Sequence, residues 1–591
     1  MRTADMRHDS TIESEISPAG RDQQDGFVAG KREVDLYVRT YNTLLRSTGP
    51  IKVETLVPAH VNIQSSLHAG ATETVPDMSA FMYSTMRLPL AIVHTKHIAL
   101  GQSPWVFSRH GYSDLNNWEP VTAPGRRRRW YDNGEGTLAV YVASTSDLDD
   151  LVPTIVAWQI EWNKMHQIFK DAPELVDTLQ GEPTEPEEET IRDALGMSDR
   201  DWSRLKTAWG DAFFDNLRKI AEKRCRLTIQ MHGGTYVGFT RSTRTWWRPI
   251  ERFLRENDLH DRPLYFVSSN THSIVNTLSG TARRRRDQLI DYVEQIQDPE
   301  LTEELEKLRS GDTRSSWDNF LYFSARQYFH DHPEERRERN LEEEARGITS
   351  IDPGAVLDAD AQIIEVSKLK PEDFDPRLSK LGSIDPARSD AVIININYPL
   401  GMGAYHILNQ IAINTHQMQG VYVLGKAATL NARIGDVMLS DVVYDEHSGN
   451  TYWFKNVFAS EDFSPFLVYG SALDHQRAVT VLGTYLQNRE YLDFFYRENF
   501  TVVEMEAGPY LSAMYEDAFL TRFGHNENVN LVDLPFDLGI IHYASDTPYT
   551  RAQTLGARGL SYYGMDSTYA STLLILQRIF ERGGVLQTEN P

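Results

Sequence analysis

From residue 391 to the end of the chain, β-branched and aromatic runs of strand length alternate with stretches of helical spacing, and no other feature constrains the fold as much. Residues 391–403 read as a strand ending in glycines, 404–416 as a helix and 420–430 as a strand and loop. A hairpin follows, turning at Ser448 and Gly449. Strands at 478–486, 500–504 and 538–545 then alternate with helices at 488–499, 507–518 and 567–582. Such alternation predicts an α/β fold, a mostly parallel twisted sheet with flanking helices. Ligands of such sheets bind at the carboxyl ends of the strands.

At 591 residues the chain exceeds a single core. Composition divides it into a polar, disordered tail at 1–30, a mainly helical α+β domain at 31–345, a charged and proline-rich linker at 346–388, and the α/β domain at 389–591. The N-terminal domain carries an acidic exposed loop near 180–190 and an amphipathic helix at 151–169. A strand pair at 224–239 is expected to turn at Gly233 and Gly234. Residues 264–280 read as a strand, a polar turn and a helix. Ser268, Ser269, Asn270, Thr271 and His272 at that junction form a possible second anion site, although the same residues serve equally as helix caps.

The formal charge of −24 excludes a general nucleic-acid binder, and the arginine runs at 126–129 and 283–286 read as solvated faces. One cysteine, Cys225, allows no internal disulfide, and the opening residues lack the apolar core of a signal peptide, so the cytoplasm is the expected compartment. No apolar stretch reaches the roughly 20 residues of a membrane span, so no membrane partner is expected. His330 and His332 have no further ligands at metal-binding spacing. Neither a metal nor a cofactor is expected.

Glu504 and Glu506 flank Met505 where a buried strand passes into a helix, a costly place for two carboxylates unless a ligand compensates. Gly401 and Gly403 end an earlier strand, and Ser545 and Asp546 end the last. With "GKAATLNARIGDVMLSD" at 425–441, these groups resemble the nucleoside phosphorylase and nucleosidase superfamily, whose pattern is a G-x-x-G-G-L loop, a G-D-V strand, then V-E-M-E-A and S-D. Gly425, Leu430, Gly435, Asp436, Val437, Val503 to Ala507, Ser545 and Asp546 match in order. The resemblance covers about residues 390–591. It is closest to the AMP nucleosidases, which also carry an extra N-terminal domain and a proline soon after the S-D pair, like Pro548.

The resemblance implies hydrolysis of the N-glycosidic bond of a purine nucleoside or an AMP-like nucleotide by a homo-oligomer. On that reading Asp546 protonates the departing base, with Ser545 orienting it, Glu506 holds the ribose hydroxyls and Met505 packs on the sugar. Glu504, Gly401, Gly403, Gly425 and Lys426 line the substrate, Lys426 on a nucleotide phosphate, and Tyr485 is placed to stack on the base. The sequence departs from the family at Ala428 and Thr429, which replace the glycine pair, and it has no arginine before Gly425. The missing arginine favours water as nucleophile. Two alternatives stay open: a purine-binding module without turnover, and a phosphate-dependent phosphorylase.

Overall fold

The computed structural model describes residues 18–547 and 562–587, apart from Glu182, Pro353, Ala355, Arg522 and Phe523. Six strands near the N-terminus, β1 (Ile51–Lys52), β2 (His97–Gly101), β3 (Glu119–Ala123), β4 (Arg126–Asp132), β5 (Thr137–Tyr141) and β6 (Thr228–His232), form one sheet in the order β1-β6-β2-β5-β4-β3. The long helix Thr145–Asp171 packs on it. Trp130, Trp158 and Trp162 are fully buried in the shared core.

The second sheet has eleven strands. It takes in β7 (Leu264–Ser269), β8 (Ile348–Ile351) and β9 (Ala361–Glu365). The short β10 (Ser383–Ile384) stands apart from it. The sheet continues through β11 (Val392–Asn397), β12 (Met418–Thr429), β13 (Val437–Asp445), β14 (Thr451–Trp453), β15 (Ala472–Thr480), β16 (Val502–Glu504), β17 (Asn528–Asn530) and β18 (Asp537–Asp546), while β19 (Leu586–Gln587) pairs only with β10. Parallel pairs (β12 with β18 and β7, β11 with β7, β13 with β15, β15 with β16, β14 with β17) are the larger share and mix with antiparallel ones (β12 with β16, β13 with β18 and β14, β11 with β9, β8 with β9), so the sheet is mixed. The pairings β12-β18-β13-β15-β16-β12 close on themselves. They make a small barrel, from which β7, β11, β9 and β8 extend as an open sheet.

Both faces of that extension are covered, which is why its strands read as unbroken apolar runs. Phe266, Ile394, Ile396, Val421 and Val423 face one core with Tyr510 and Leu511. Tyr265, Val267, Ile393, Tyr422 and Leu424 face the other, with Leu573 and Leu576 of the C-terminal helix Tyr562–Arg582. Neighbouring side chains of one strand thus enter opposite cores, as pleating requires.

Several expectations are corrected here. The boundary at 346–388 does not separate two sheets, because β7 from the N-terminal side lies between β12 and β11, and β8 and β9 within the expected linker extend the same sheet. Hydrogen bonding between strands far apart in sequence leaves no composition signal. The glycines at 233 and 234 do not turn a hairpin. They join β6 to the helix Tyr236–Glu256, which Thr235 caps through Gly238 N–H at 3.1 Å. The expected loop at 180–190 contains the start of the helix Glu185–Ala194, with Thr184 and Glu187 forming a capping box. The helix Pro18–Leu45 begins inside the tail expected to be disordered, and residues 1–17 lie outside the described residues. Among the described residues no helix is long and apolar enough to cross a membrane.

Candidate functional site

The site is an interruption in one edge of β12. On that edge β7 accompanies β12 as far as the pair Val423–Ser268, and β16 resumes at Ala428–Val503. Leu424 to Ala427 have no strand partner between these points, while β18 holds the opposite edge through Ala428 and Asp546. Val503 and Asp546 therefore flank the same residue of β12, each one inter-strand spacing of roughly 4.8 Å away. The VEME and S-D segments, 42 positions apart from Glu504 to Asp546, meet across one strand.

The two glutamates of the first segment differ in their bonding. Glu504 is 4% exposed and fully engaged: Thr480 Oγ1 donates to it, and the N–H groups of Glu506 and Ala507 donate at 2.7 Å each. It caps the helix Ala507–Phe519 from inside, a structural use of a residue expected to line the substrate. Glu506 is 5% exposed and accepts from the backbone of Gly401, whose N–H lies at 3.0 Å, and of Met505. Burial, then the neighbouring Glu504, pushes its carboxyl upward, so it is the carboxylate with hydrogen-bonding capacity left for a ligand.

Gly401 supplies that N–H from a left-handed backbone, φ +49°, and a Cβ there would stand 2.2 Å from Ser146 Oγ. Ser146 opens the helix Thr145–Asp171, accepts Met402 N–H at 2.9 Å and meets His447 Nε2 at 3.2 Å, while His447 Nδ1 lies 2.9 Å from Asp445. The glycine thus lets a helix of the small-sheet core approach the carboxylate's support. Gly403 has no such role, since a Cβ there makes an ordinary 3.5 Å contact with Pro399. At Gly425 a Cβ would stand 2.5 Å from the Tyr398 hydroxyl. That buried phenol has no hydrogen-bond partner among the described residues, and burial beside Glu506 and Glu504 raises it far above the ordinary value.

On the other edge Ser545 Oγ donates to Asp546 Oδ2 at 2.7 Å, and both residues are partly exposed. Met505 is also partly exposed and packs beside Val503. Lys426 is solvent-accessible and yet surrounded by protein, as on the wall of a cleft. Burial lowers its ammonium, Asp546 opposes that, and Arg326, Arg87 and Arg126 reinforce it. Pro548 lies outside the described residues.

The turn after β7 ends beside the same interruption. Ser268 Oγ accepts from the Tyr510 hydroxyl at 2.7 Å, Ser269 donates to Asn395 at 2.8 Å, and Asn270 Oδ1 caps the N–H groups of His272 and Ser273 at 3.0 and 2.7 Å. The Thr271 carbonyl accepts from Gln362 at 2.9 Å. His272 is pushed down to about 3 by burial and by Arg326 and Arg339, so it is neutral, and Arg326 joins its surroundings to those of Lys426. Tyr485 is not in the site. It is 2% exposed in a 3₁₀ turn, bonded to Ser84 Oγ and the Ala80 carbonyl at 2.8 Å each, where it ties the large sheet to the N-terminal core.

Sequence reading missed the cations. Arg126 belongs to β4, pairs with Asp150 at 2.5 and 3.0 Å, and carries a charge that this carboxylate sustains against burial. Arg128, two residues along the same strand face, bonds Asp147 at 2.8 Å and Asp150 at 3.2 Å. The run at 126–129 is thus a strand that buries alternate arginines, a period-2 pattern that four identical residues conceal. Arg87, 7% exposed, lays its guanidinium over the Tyr83 ring at 3.3 Å.

Fold and site together define an α/β barrel protein with a carboxylate-flanked opening in a central strand, completed by arginines from a second sheet. The chain belongs to a family of unknown function (DUF6909), whose model matches residues 53–581. No curated protein matches it. Among solved structures it is similar to a 5'-methylthioadenosine nucleosidase of Arabidopsis thaliana (10% identity over 55% of this chain and 97% of that one, TM-score 0.29). It is similar also to a putative methylthioadenosine nucleosidase of Weissella paramesenteroides (12%, 40% and 90%, TM-score 0.27). A third is the 5'-methylthioadenosine/S-adenosylhomocysteine nucleosidase of Neisseria meningitidis in complex with methylthio-immucillin-A (13%, 40% and 93%, TM-score 0.28). At these scores the likeness is remote.

Proposed function

We propose that the protein hydrolyses the N-glycosidic bond of a purine nucleotide of the AMP type, releasing the free base. The observation that supports this reading is the register of β12, in which Ala428 is flanked by Val503, three residues before Glu506, and by Asp546, next to an edge without a strand partner at Leu424 to Ala427. Cleavage moves the bonding pair of the glycosidic C–N bond onto the base, leaves positive charge on the ribose, and ends when water oxygen bonds the anomeric carbon and gives up a proton that restores the one Asp546 gives to the base. Asp546 donates a proton to the base. Glu506 accepts hydrogen bonds from the ribose hydroxyls and faces the developing positive charge, which replaces the solvation its carboxylate lacks. Lys426 and Arg326, with Arg87 behind them, supply positive potential for a substrate phosphate.

The test is incubation of the full chain with purine nucleosides and their monophosphates, with and without inorganic phosphate, with chromatography of free base and sugar. The expected products of a nucleotide are base and ribose 5-phosphate, at a rate indifferent to added phosphate. Phosphate-dependent formation of a sugar 1-phosphate would make it a phosphorylase, and binding without base release would make it a binding module.

A further inference from the structure

The small sheet carries an opening of its own. β2 and β6 are parallel neighbours that end in the pair Gly101–His232, and each leads into a helix, Pro104–Arg109 and Tyr236–Glu256 respectively. Between those helices lies a cleft of about 490 Å³ whose walls include Gln102, Trp105, Arg109, His110, Gly238 and Arg241. Its size is that of a small-molecule pocket.

Three features give it a chemistry. Gly233 and Gly234 hold φ values of +97° and +87°, and a Cβ on Gly238 would stand 1.9 Å from Gln102 Oε1, so the turn is built of glycine to bring backbone against the strand end. The 21-residue helix beyond it directs its first amides and positive dipole end toward the cleft. Arg241 makes no ion pair among the described residues, nor does Arg109, which lies over the Trp105 ring at 4.9 Å. On a chain of formal charge −24 such unpaired arginines are conspicuous.

We propose that this cleft binds a phosphate-bearing small molecule of nucleotide size, with its phosphate at the Gly233–Gly238 turn between Arg109 and Arg241 and its planar ring against Trp105. Trp105 is 56% exposed, a large apolar surface on the cleft wall that a planar ligand would cover. The site belongs to the small sheet and shares no residue with the Asp546 opening, so it does not depend on the glycosidase reading.

Amide hydrogen exchange of the full chain, read over residues 233–241, is the test. ADP and inorganic pyrophosphate should each slow exchange there, and adenosine, which lacks a phosphate, should not. The double variant Arg109→Gln, Arg241→Gln alters two exposed side chains and should retain the fold by circular dichroism while weakening the ADP effect at least tenfold. Absence of slowing at millimolar ADP and pyrophosphate overturns the proposal. So does equal slowing by adenosine, or an ADP effect that survives in the double variant. Base release is not part of the readout, so this outcome and that of the hydrolysis assay are separable.

Discussion

The two sheets solve the same problem of presenting strand ends to a ligand in opposite ways. In the large sheet the opening is flanked by buried acids, Glu506 at 5% exposure and Glu504 at 4%, and its cations are borrowed from β4 and from the helices Met78–Arg87 and Trp317–Asp331. In the small sheet the opening is walled by exposed arginines and by a glycine turn, with no carboxylate among its wall residues. Desolvated acids store free energy that a reacting sugar can draw on. Exposed cations at a helix N-terminus attract an anion and leave it unchanged. On the two proposals above, chemistry belongs to one sheet and binding to the other.

The largest expected effect separates those two roles. Asp546→Asn preserves size and hydrogen bonding but removes the transferable proton, so base release should fall by roughly 10² to 10⁴ with KM little changed. Exchange protection over 233–241 by ADP should be untouched. A variant with wild-type turnover would reduce Asp546 to a strand-end residue.

Next in size is the ion-pair cluster between β4 and the helix packed on the small sheet. Asp150 holds Arg126 and Arg128 together, and both guanidinium groups pull its carboxyl well below the ordinary range despite burial. Asp150→Ala leaves Arg126 without its carboxylate and Arg128 with Asp147 alone, and should cost about 3 to 5 kcal/mol in urea unfolding. Arg241→Gln, on the exposed wall of the small-sheet cleft, should change stability by less than about 0.5 kcal/mol. Similar costs for the two would remove the distinction between built and presented arginines.

Glu506 gives a smaller effect with a definite sign. Burial raises its carboxyl above the unfolded value of 4.5, so the folded state keeps a proton that the unfolded chain releases. Its contribution is complete below that value and is lost as pH rises through the raised one. Glu506→Gln cannot ionise, so it should match the wild type near pH 5 and exceed it by about 1 to 3 kcal/mol near pH 9. A stability difference independent of pH would show that Glu506 is ionised in the empty site.

How much of this was legible in the sequence depends on distance along the chain. Strand 502–504, helix 507–519 and the Glu506 position follow from local periodicity and a short motif, because their partners are neighbours. The insertion of β7 beside β12 pairs residues more than 150 positions apart, as Val423 with Ser268, and apolar patterning records that a strand is buried without recording its neighbour. Tyr485 shows the same limit: an aromatic after a strand is compatible with stacking on a base or with packing on Tyr83 and His60, and only the fold selects the second. The arginines of β4 were hidden differently. Their alternation has no contrast in a run of one residue type, and the acids that balance them lie on the helix Thr145–Asp171.

Arg326 carries the last and smallest prediction. It is exposed on the helix Trp317–Asp331, makes no ion pair among the described residues, and acts on Lys426, His272 and the Tyr543 hydroxyl, three groups around the β12 opening. A cation so placed faces the phosphate of a nucleotide and has nothing to hold on a nucleoside. Across water-accessible space its attraction to one phosphate is worth on the order of 1 kcal/mol, and salt weakens it. Arg326→Gln should therefore raise KM for a purine monophosphate about five- to tenfold at low ionic strength, with a smaller effect at high salt, and leave KM for the nucleoside and both kcat values unchanged. Equal losses on nucleoside and nucleotide would mean that Arg326 supports the opening without reading the phosphate, and the borrowed cations of the large sheet would then be structural, unlike those of the small one.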